Sequence, residues 1–141
     1  MTARVVTLLA SAAVAFGQAR PALACSCQPP TSVAAELKVS DAVFEGVVSG
    51  IGAQEPGGMV SVRIRVGRAW KGVTSAEALV RTNSLMCGLG FRVGERWLVF
   101  ASGQPLQAGL CGKNGHLTLS QPNPPEAMLE DLGRPAFVGP K

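Results

Sequence analysis

The chain has 141 residues and a net charge of +4 at pH 7, and 47% of its residues are hydrophobic. This length limits the protein to about one domain, with enough apolar residues for one core. A small charge spread over both signs does not indicate a polyanionic partner such as nucleic acid.

The first 24 residues have the pattern of a secretory signal peptide. Arg4 gives a positive start, residues 5–16 form an apolar stretch, and "GQARPALA" ends in an A-x-A cleavage site after Ala24. The apolar stretch is shorter than the about 20 residues that span a bilayer. We therefore expect a secreted or periplasmic protein with no transmembrane segment, beginning at Cys25. Cleavage would remove Arg4 and Arg20, which leaves 11 basic and 9 acidic residues and a net charge of about +2 on the exported part.

The first predicted element of the exported part is a short helix over residues 31–40, with Thr31 or Ser32 as its N-cap. From there the pattern becomes that of β-strands. In "MVSVRIRVGRAW", every second residue from Val60 to Val66 is apolar, and a serine or an arginine stands between each pair. This alternation is typical of a half-buried strand.

Five strands are predicted in all. "ERWLVFAS" is apolar on both faces, so this strand is expected to be central. The next segment, "PLQAGLC", is expected to pair with it after a turn that contains glycine. The predicted strands cover residues 42–51, 59–70, 77–82, 95–102 and 105–111.

The C-terminal part is predicted to form a second short helix over residues 124–133, where prolines precede the helix and Gly133 ends it. Residues 134–141 are expected to be a flexible tail, so the domain itself covers residues 25–133. Five short strands and one or two small helices indicate an all-β fold, a small closed five-stranded barrel stapled by disulfides.

All four cysteines, Cys25, Cys27, Cys87 and Cys111, lie in the exported part. An even number in a short exported chain indicates two disulfides, with three connectivities open. The Cys-x-Cys spacing in "LACSCQPP" matches neither the C-x-x-C of a thioredoxin-like redox site nor the paired knuckles of a structural zinc site. Acylation of Cys25, as in a lipoprotein, is an alternative, although Ala22 stands where a lipobox prefers leucine.

No catalytic pattern accompanies these cysteines. His116 is the one histidine, it lies in the turn-like "KNGHLTL", and no nucleophile motif is near it. We therefore expect neither an enzyme nor a cofactor. A nucleic-acid-binding barrel would need a basic face with aromatic residues, but the chain has no tyrosine, and its arginines are more simply the solvated side of strands. Those arginines are Arg63, Arg65, Arg68, Arg81 and Arg92.

Several short motifs follow one another in a specific order: "CSCQPP" at the mature N-terminus, then "SDAVFEGVV", "VRIRVGRAWKG", "MCGLGFRVGERWLVFASG" and "LQAGLC". This order resembles the N-terminal, netrin-like domain of the tissue inhibitors of metalloproteinases, and more closely the small bacterial proteins grouped with them. The resemblance covers roughly residues 25–111. It implies a five-stranded OB-type barrel and disulfides that pair Cys25 with Cys87 and Cys27 with Cys111. The C-terminal subdomain of the animal inhibitors is missing, so this chain would be a minimal form.

The resemblance also implies a function, the inhibition of a zinc metalloprotease. In that family, the α-amino nitrogen and carbonyl oxygen of the first residue bind the protease's catalytic zinc, and the second side chain enters the specificity pocket. Cys25 would supply the two zinc-binding atoms, and Ser26 would enter the pocket. The alternative is an exported netrin-like binding module, with or without a lipid anchor at Cys25, that has no inhibitory activity. The implied inhibitory ridge comprises Cys25, Ser26, Cys27, Gln28, Pro29, Ser84, Leu85 and Met86.

Overall fold

The computed structural model describes residues 25–28, 32–117 and 125–141. Within these ranges the chain forms two short helices and six strands. The predicted signal peptide, residues 1–24, lies outside the described residues. The helices are α1 (Val33–Val39) and α2 (Pro125–Leu132), and the strands are β1 (Ala42–Ile51), β2 (Met59–Lys71), β3 (Glu77–Asn83), β4 (Arg96–Ala101), β5 (Gly115–His116) and β6 (Phe137–Val138).

The strands form one antiparallel sheet with the order β3-β2-β1-β4-β5, and β6 pairs with β2 beyond the end of β3. The two longest strands, β1 and β2, pair along most of their length, and their register shifts at three points along β1. Such irregularities increase the local twist and bend a sheet. One face of the sheet therefore curves around the larger hydrophobic core, to which all of β1 to β4 contribute.

The side-chain pattern that the sequence predicted is confirmed in the two strands where it was clearest. In β2, Val62, Ile64 and Val66 are buried while Arg63 and Arg65 are exposed. Strand β4 lies between β1 and β5 and is buried on both faces, as its doubly apolar sequence predicted. Its two sets of side chains enter two different cores, one inside the curved sheet and one beneath the helices.

The sheet is not closed, so the prediction of a closed barrel is wrong. Residues 105–111 were expected to be a full strand, but only Gln107 bridges to neighbouring strands, to Ser102 and Arg81. Pro105 has no N–H to donate, and Gly109 begins the next turn, so too few residues remain between them to form a ladder. The fifth strand in chain order is β5, which pairs with β4 and not with β3.

The C-terminal residues also differ from the flexible tail that the sequence suggested. Strand β6 pairs with Arg68 and Ala69 of β2, and the half-buried Phe137 packs against the larger core. Gly139 N donates to Gly67 O over 2.8 Å, which extends this pairing by one bond. The end of the chain therefore covers the part of the β2 edge that β3 leaves open.

Both helices have the ends that their sequences predicted. Ser32 is the N-cap of α1, and its hydroxyl accepts a hydrogen bond from Ala35 N over 3.1 Å. At the other end of α1, Lys71 Nζ donates to the last carbonyl groups at 3.0 Å, which satisfies acceptors that the helix itself leaves unpaired. Helix α2 is followed by Gly133 at a positive φ of 67°, a conformation that glycine adopts without strain.

A buried carboxylate joins the two central strand pairs. The Glu45 side chain is only 6% exposed, and it accepts hydrogen bonds from Arg68 Nε at 2.9 Å and from Arg96 Nε at 2.6 Å. Burial alone would raise the pKa of this carboxyl, but the hydrogen bonds and positive charges of Arg96 and Arg68 hold the pKa below its ordinary value. Glu45 thus cross-links β1, β2 and β4 in its ionised form.

We expect Glu45→Gln to lower the free energy of unfolding by about 2 kcal/mol, because two charge-assisted hydrogen bonds are weakened while both arginines keep access to water. The carboxyl has a lowered pKa in the folded state, so its contribution is present above the ordinary pKa of 4.5 and is lost as the pH falls below it. Urea unfolding at pH 7 and at several pH values below 4.5 measures both effects.

The matched control for this experiment is Glu77→Gln. Glu77 pairs with Arg63 over 3.2 Å, but both side chains are more than half exposed. Its loss should cost well under about 1 kcal/mol and leave the acid dependence of stability unchanged. Equal losses for the two variants at pH 7 would contradict the structural role assigned to Glu45.

Candidate functional site

The first described segment, residues 25–28, is extended and has no secondary structure. Cys25, Ser26 and Gln28 are exposed, and Cys27 is half-buried. Pro29, which the sequence placed in the same ridge, lies outside the described residues. The segment has no strand or helix partner in the described sheet, and two disulfides tie it to the rest of the domain in addition to the main chain.

Two disulfides hold this segment at both of its cysteines. Cys25 is bonded to Cys87 and Cys27 to Cys111, with Cα separations of 5.6 and 5.1 Å that are ordinary for a disulfide. This confirms the connectivity that the resemblance implied, one of the three that the cysteine count allowed. No cysteine remains free, so these residues provide no thiolate for a redox site or a metal.

The segment that precedes Cys87 is strongly exposed although it is apolar. Leu85 is 67% exposed and Met86 is 54% exposed, and Ser84 is exposed as well. Since Met86 is bonded directly to Cys87, the disulfide places Cys25 beside these side chains. The structure thus links the two parts of the predicted ridge that it describes through the disulfide between Cys25 and Cys87.

A hollow of about 290 Å³ opens next to this segment. Its volume lies at the lower limit of ordinary small-molecule sites, which measure roughly 300–1,000 Å³. The lining is mostly apolar and is supplied by the ends of three strands and the loop after β3. The lining residues are Ile51, Val60, Val62 and residues 82–91.

The sequence did not reveal two exposed apolar residues at this end of the sheet, Ile51 and Leu110. Ile51, at the end of β1, is 41% exposed and lines the hollow. Leu110 is 55% exposed and its N–H donates to Cys87 O over 2.8 Å, which joins the two loops that carry the disulfide partners. The one signal for Leu110 in the sequence was its place directly before Cys111, one of the predicted disulfide cysteines.

His116 is buried in β5 and not placed in a turn as its sequence suggested. Its ring packs edge-on against Trp97 with 5.0 Å between ring centroids, and its Nε2 lies 3.2 Å from Glu95 Oε1. Burial would raise the pKa of the Glu95 carboxyl, but hydrogen bonds from Trp97, Arg92 N and His116 lower it. His116 is thus a buried ring that packs against Trp97 and lies beside Glu95.

The strand arginines are largely neutralised by neighbouring acids. Arg63 pairs with Glu77 and Arg68 with Glu45, and Arg81 forms an ion pair with Glu55. Arg68 also lies over the Trp70 ring, 5.5 Å from its centroid. A surface of alternating charges of this kind favours the interpretation of solvated strand faces over that of a basic nucleic-acid groove.

Comparison of the chain with protein-family models found no match, and comparison with curated proteins found none either. In the described part of the chain, no helix is long and apolar enough to cross a membrane. The same residues contain no group of three or more His, Cys, Asp or Glu side chains arranged to hold a metal ion. The candidate site is therefore defined by its geometry: a cross-linked extended segment beside an exposed apolar loop.

We expect the native protein to react with no thiol reagent, because all four cysteines are paired. Alkylation before reduction should add no mass, and alkylation after denaturation and reduction should modify four cysteines. Proteolysis without reduction, followed by mass spectrometry, should recover the peptides of Cys25 and Cys87 linked to each other. Four reactive thiols in the native protein would contradict the anchored segment and favour metal or redox chemistry.

Proposed function

We propose that this protein is an exported inhibitor of zinc metalloproteases that acts through its mature N-terminus, as the resemblance to the tissue inhibitors of metalloproteinases implies. One observation carries the proposal: the extended residues 25–28 are held by two disulfides, one of them to Cys87, which directly follows the exposed residues 84–86. A chain end fixed in this way loses little conformational entropy when it enters a partner's cleft.

The proposed mechanism uses main-chain atoms of Cys25. Cleavage after Ala24 frees the α-amino group of Cys25, whose ordinary pKa of about 8 leaves a fraction of it neutral near pH 7. Catalytic zinc sites keep a position open for water or substrate. The amine would take that position and the Cys25 carbonyl oxygen would add a fifth ligand, with the zinc and its protein ligands belonging to the protease.

The neighbouring side chains would fit the protease surface around the zinc. Ser26 follows Cys25 and is exposed, so it can enter the specificity pocket, where its small size selects no pocket strongly. Cys27 and Gln28 would continue the ridge away from the zinc, and Pro29 is the next residue of the predicted ridge. Leu85 and Met86 supply apolar surface beside it, which would be removed from water on binding.

Export fits the chemistry of the cross-links. Two disulfides are consistent with an oxidising extracellular or periplasmic compartment. The predicted signal peptide would supply both the export and, through its cleavage, the functional amine. The netrin-like interpretation of the fold rests on the motif order, and the disulfide pairing agrees with it, whereas the open sheet departs from the closed barrel that the resemblance implies.

We expect the exported protein to begin at Cys25 with an unmodified α-amine. Intact-mass spectrometry should give the mass of residues 25–141, reduced by about four hydrogens because each disulfide removes two. Peptide sequencing from the N-terminus should identify Cys25 as the first residue. A diacylglyceryl or acyl group on Cys25 would block the amine and favour the lipid-anchored binding module.

We expect that one alanine added before Cys25 abolishes inhibition and leaves the fold intact, because the amine moves one residue away from its anchored position. The assay measures residual activity of a panel of purified zinc proteases with His₃ and His₂Glu zinc sites. An alanine added after Lys141 serves as the control and should not change inhibition. Inhibition that is equally strong with and without the N-terminal alanine would sink the proposed mechanism.

A further inference from the structure

Asn83, the last residue of β3, binds both loops at this end of the sheet. Its Oδ1 accepts hydrogen bonds from Leu85 N and Met86 N, both at 2.9 Å. Its Nδ2 donates to Gly57 O over 3.0 Å. One amide side chain thus fixes the backbone of the exposed apolar segment and connects it to the turn between β1 and β2.

The same two loops are joined by further contacts. Ser84 donates twice to Gly58 O, from its backbone N at 2.7 Å and from its hydroxyl at 2.9 Å. Gly58 has a φ of +85°, and a Cβ at this position would lie 2.7 Å from Leu85 Cγ. Leu85 therefore packs against the backbone of Gly58, where a larger residue would collide with it. The turn that contains Gly58 thus contacts the apolar segment directly.

The chain then continues from this fixed segment to the disulfide. Cys87 has a positive φ of 50°, and the backbone at Gly88 lies so close to the Asn83 carbonyl group that any side chain there would overlap it. Cys87 O accepts a hydrogen bond from Leu110 N. The backbone from Asn83 to Cys87 is thereby held at several points, and the bond to Cys25 passes this constraint to the N-terminal segment.

We propose that Asn83 is the positioning residue of the inhibitory ridge: it fixes Leu85 and Met86 directly and the disulfide-bonded Cys25 through Cys87. This inference rests on the proposed function for its consequence, but its structural part can be tested without any protease. Asn83 holds the ridge through the backbone N–H groups of Leu85 and Met86, so it acts through other residues and is not itself a group that would touch the zinc.

The Asn83 amide has an acceptor oxygen and a donor nitrogen, and substitutions can remove these two functions separately. An acceptor is needed for the Leu85 and Met86 N–H groups, and a donor is needed for Gly57 O. Asn83→Asp keeps the acceptor and loses the donor, and Asn83→Ala loses both. The aspartate variant should therefore retain the ordered apolar segment but release the turn between β1 and β2.

The experiment compares amide hydrogen exchange, followed by NMR, in the wild type and these two variants. In Asn83→Ala the Leu85 and Met86 amides should exchange about tenfold faster, since each loses its acceptor. In Asn83→Asp they should exchange at nearly the wild-type rate. The control is Ser75→Ala, which removes a 2.7 Å hydrogen bond to Glu77 O at the other end of β3 and should change neither amide.

Inhibition provides the second readout. We expect Asn83→Ala to weaken inhibition of a zinc protease about tenfold, Asn83→Asp to restore most of it, and Ser75→Ala to have no effect. If the wild type inhibits no protease, the proposed function fails, but the exchange data still decide whether Asn83 positions the segment. Unchanged exchange at Leu85 and Met86 in Asn83→Ala, or an equal acceleration across the whole sheet, would overturn the positioning role.

Discussion

The covalent attachment of residues 25–28 to two distant loops is the constraint on which the candidate site depends. The bonded cysteines are 62 and 84 residues apart in the chain, and in the chain-entropy model each cross-link contributes about 4 kcal/mol by restricting the unfolded state. In the folded state the same bonds have a second effect. They fix the position of residues 25–28, which have no secondary structure. These four residues are exposed or half-buried, so packing alone could not hold them in place.

The sheet supplies fixed points for these bonds. The segment before Cys87 begins at the end of β3, and Cys111 follows the turns after β4, so both disulfides are attached near strand ends. Register shifts along β1 curve the sheet, and Glu45 holds the curved strands together by accepting hydrogen bonds from both Arg68 and Arg96. A rigid sheet is needed here because any freedom in β3 would pass through Cys87 to Cys25.

The sequence predicted the elements in which one local signal dominated. Enrichment in β-forming residues placed β1, and strict alternation placed β2, within one residue of their observed ends, and Ser32 was one of two residues predicted as a helix cap. The prediction of a strand over residues 105–111 was wrong. The apolar residues of this segment resembled those of a strand, but Pro105 and Gly109 limit it to a single bridging residue. The pairing of β6 was missed because a strand of two residues carries no periodic signal.

For the candidate site, the sequence could locate the cysteines but not the contacts between loops. The disulfide pairing came from the resemblance, since four cysteines alone allow three connectivities. Asn83, Ile51 and Leu110 were not identified, because an asparagine at a strand end and single apolar residues at a strand end or in a loop have no distinctive pattern. Their roles follow only from tertiary hydrogen bonds and from the hollow they surround.

The distribution of exposed apolar side chains favours a binding surface at this end of the molecule. Of the eight large hydrophobic residues that are exposed in the described ranges, Ile51, Leu85 and Met86 border one hollow, and Leu110 is joined to the same loop by a hydrogen bond. Single exposed apolar residues need no explanation, but a group of them does. Here the group adjoins the one segment whose backbone nitrogen and oxygen are proposed to bind a metal. Since an α-amine with a carbonyl group beside it is common to the N-termini of protein chains, specificity for a partner would have to come from the apolar side chains that surround these atoms.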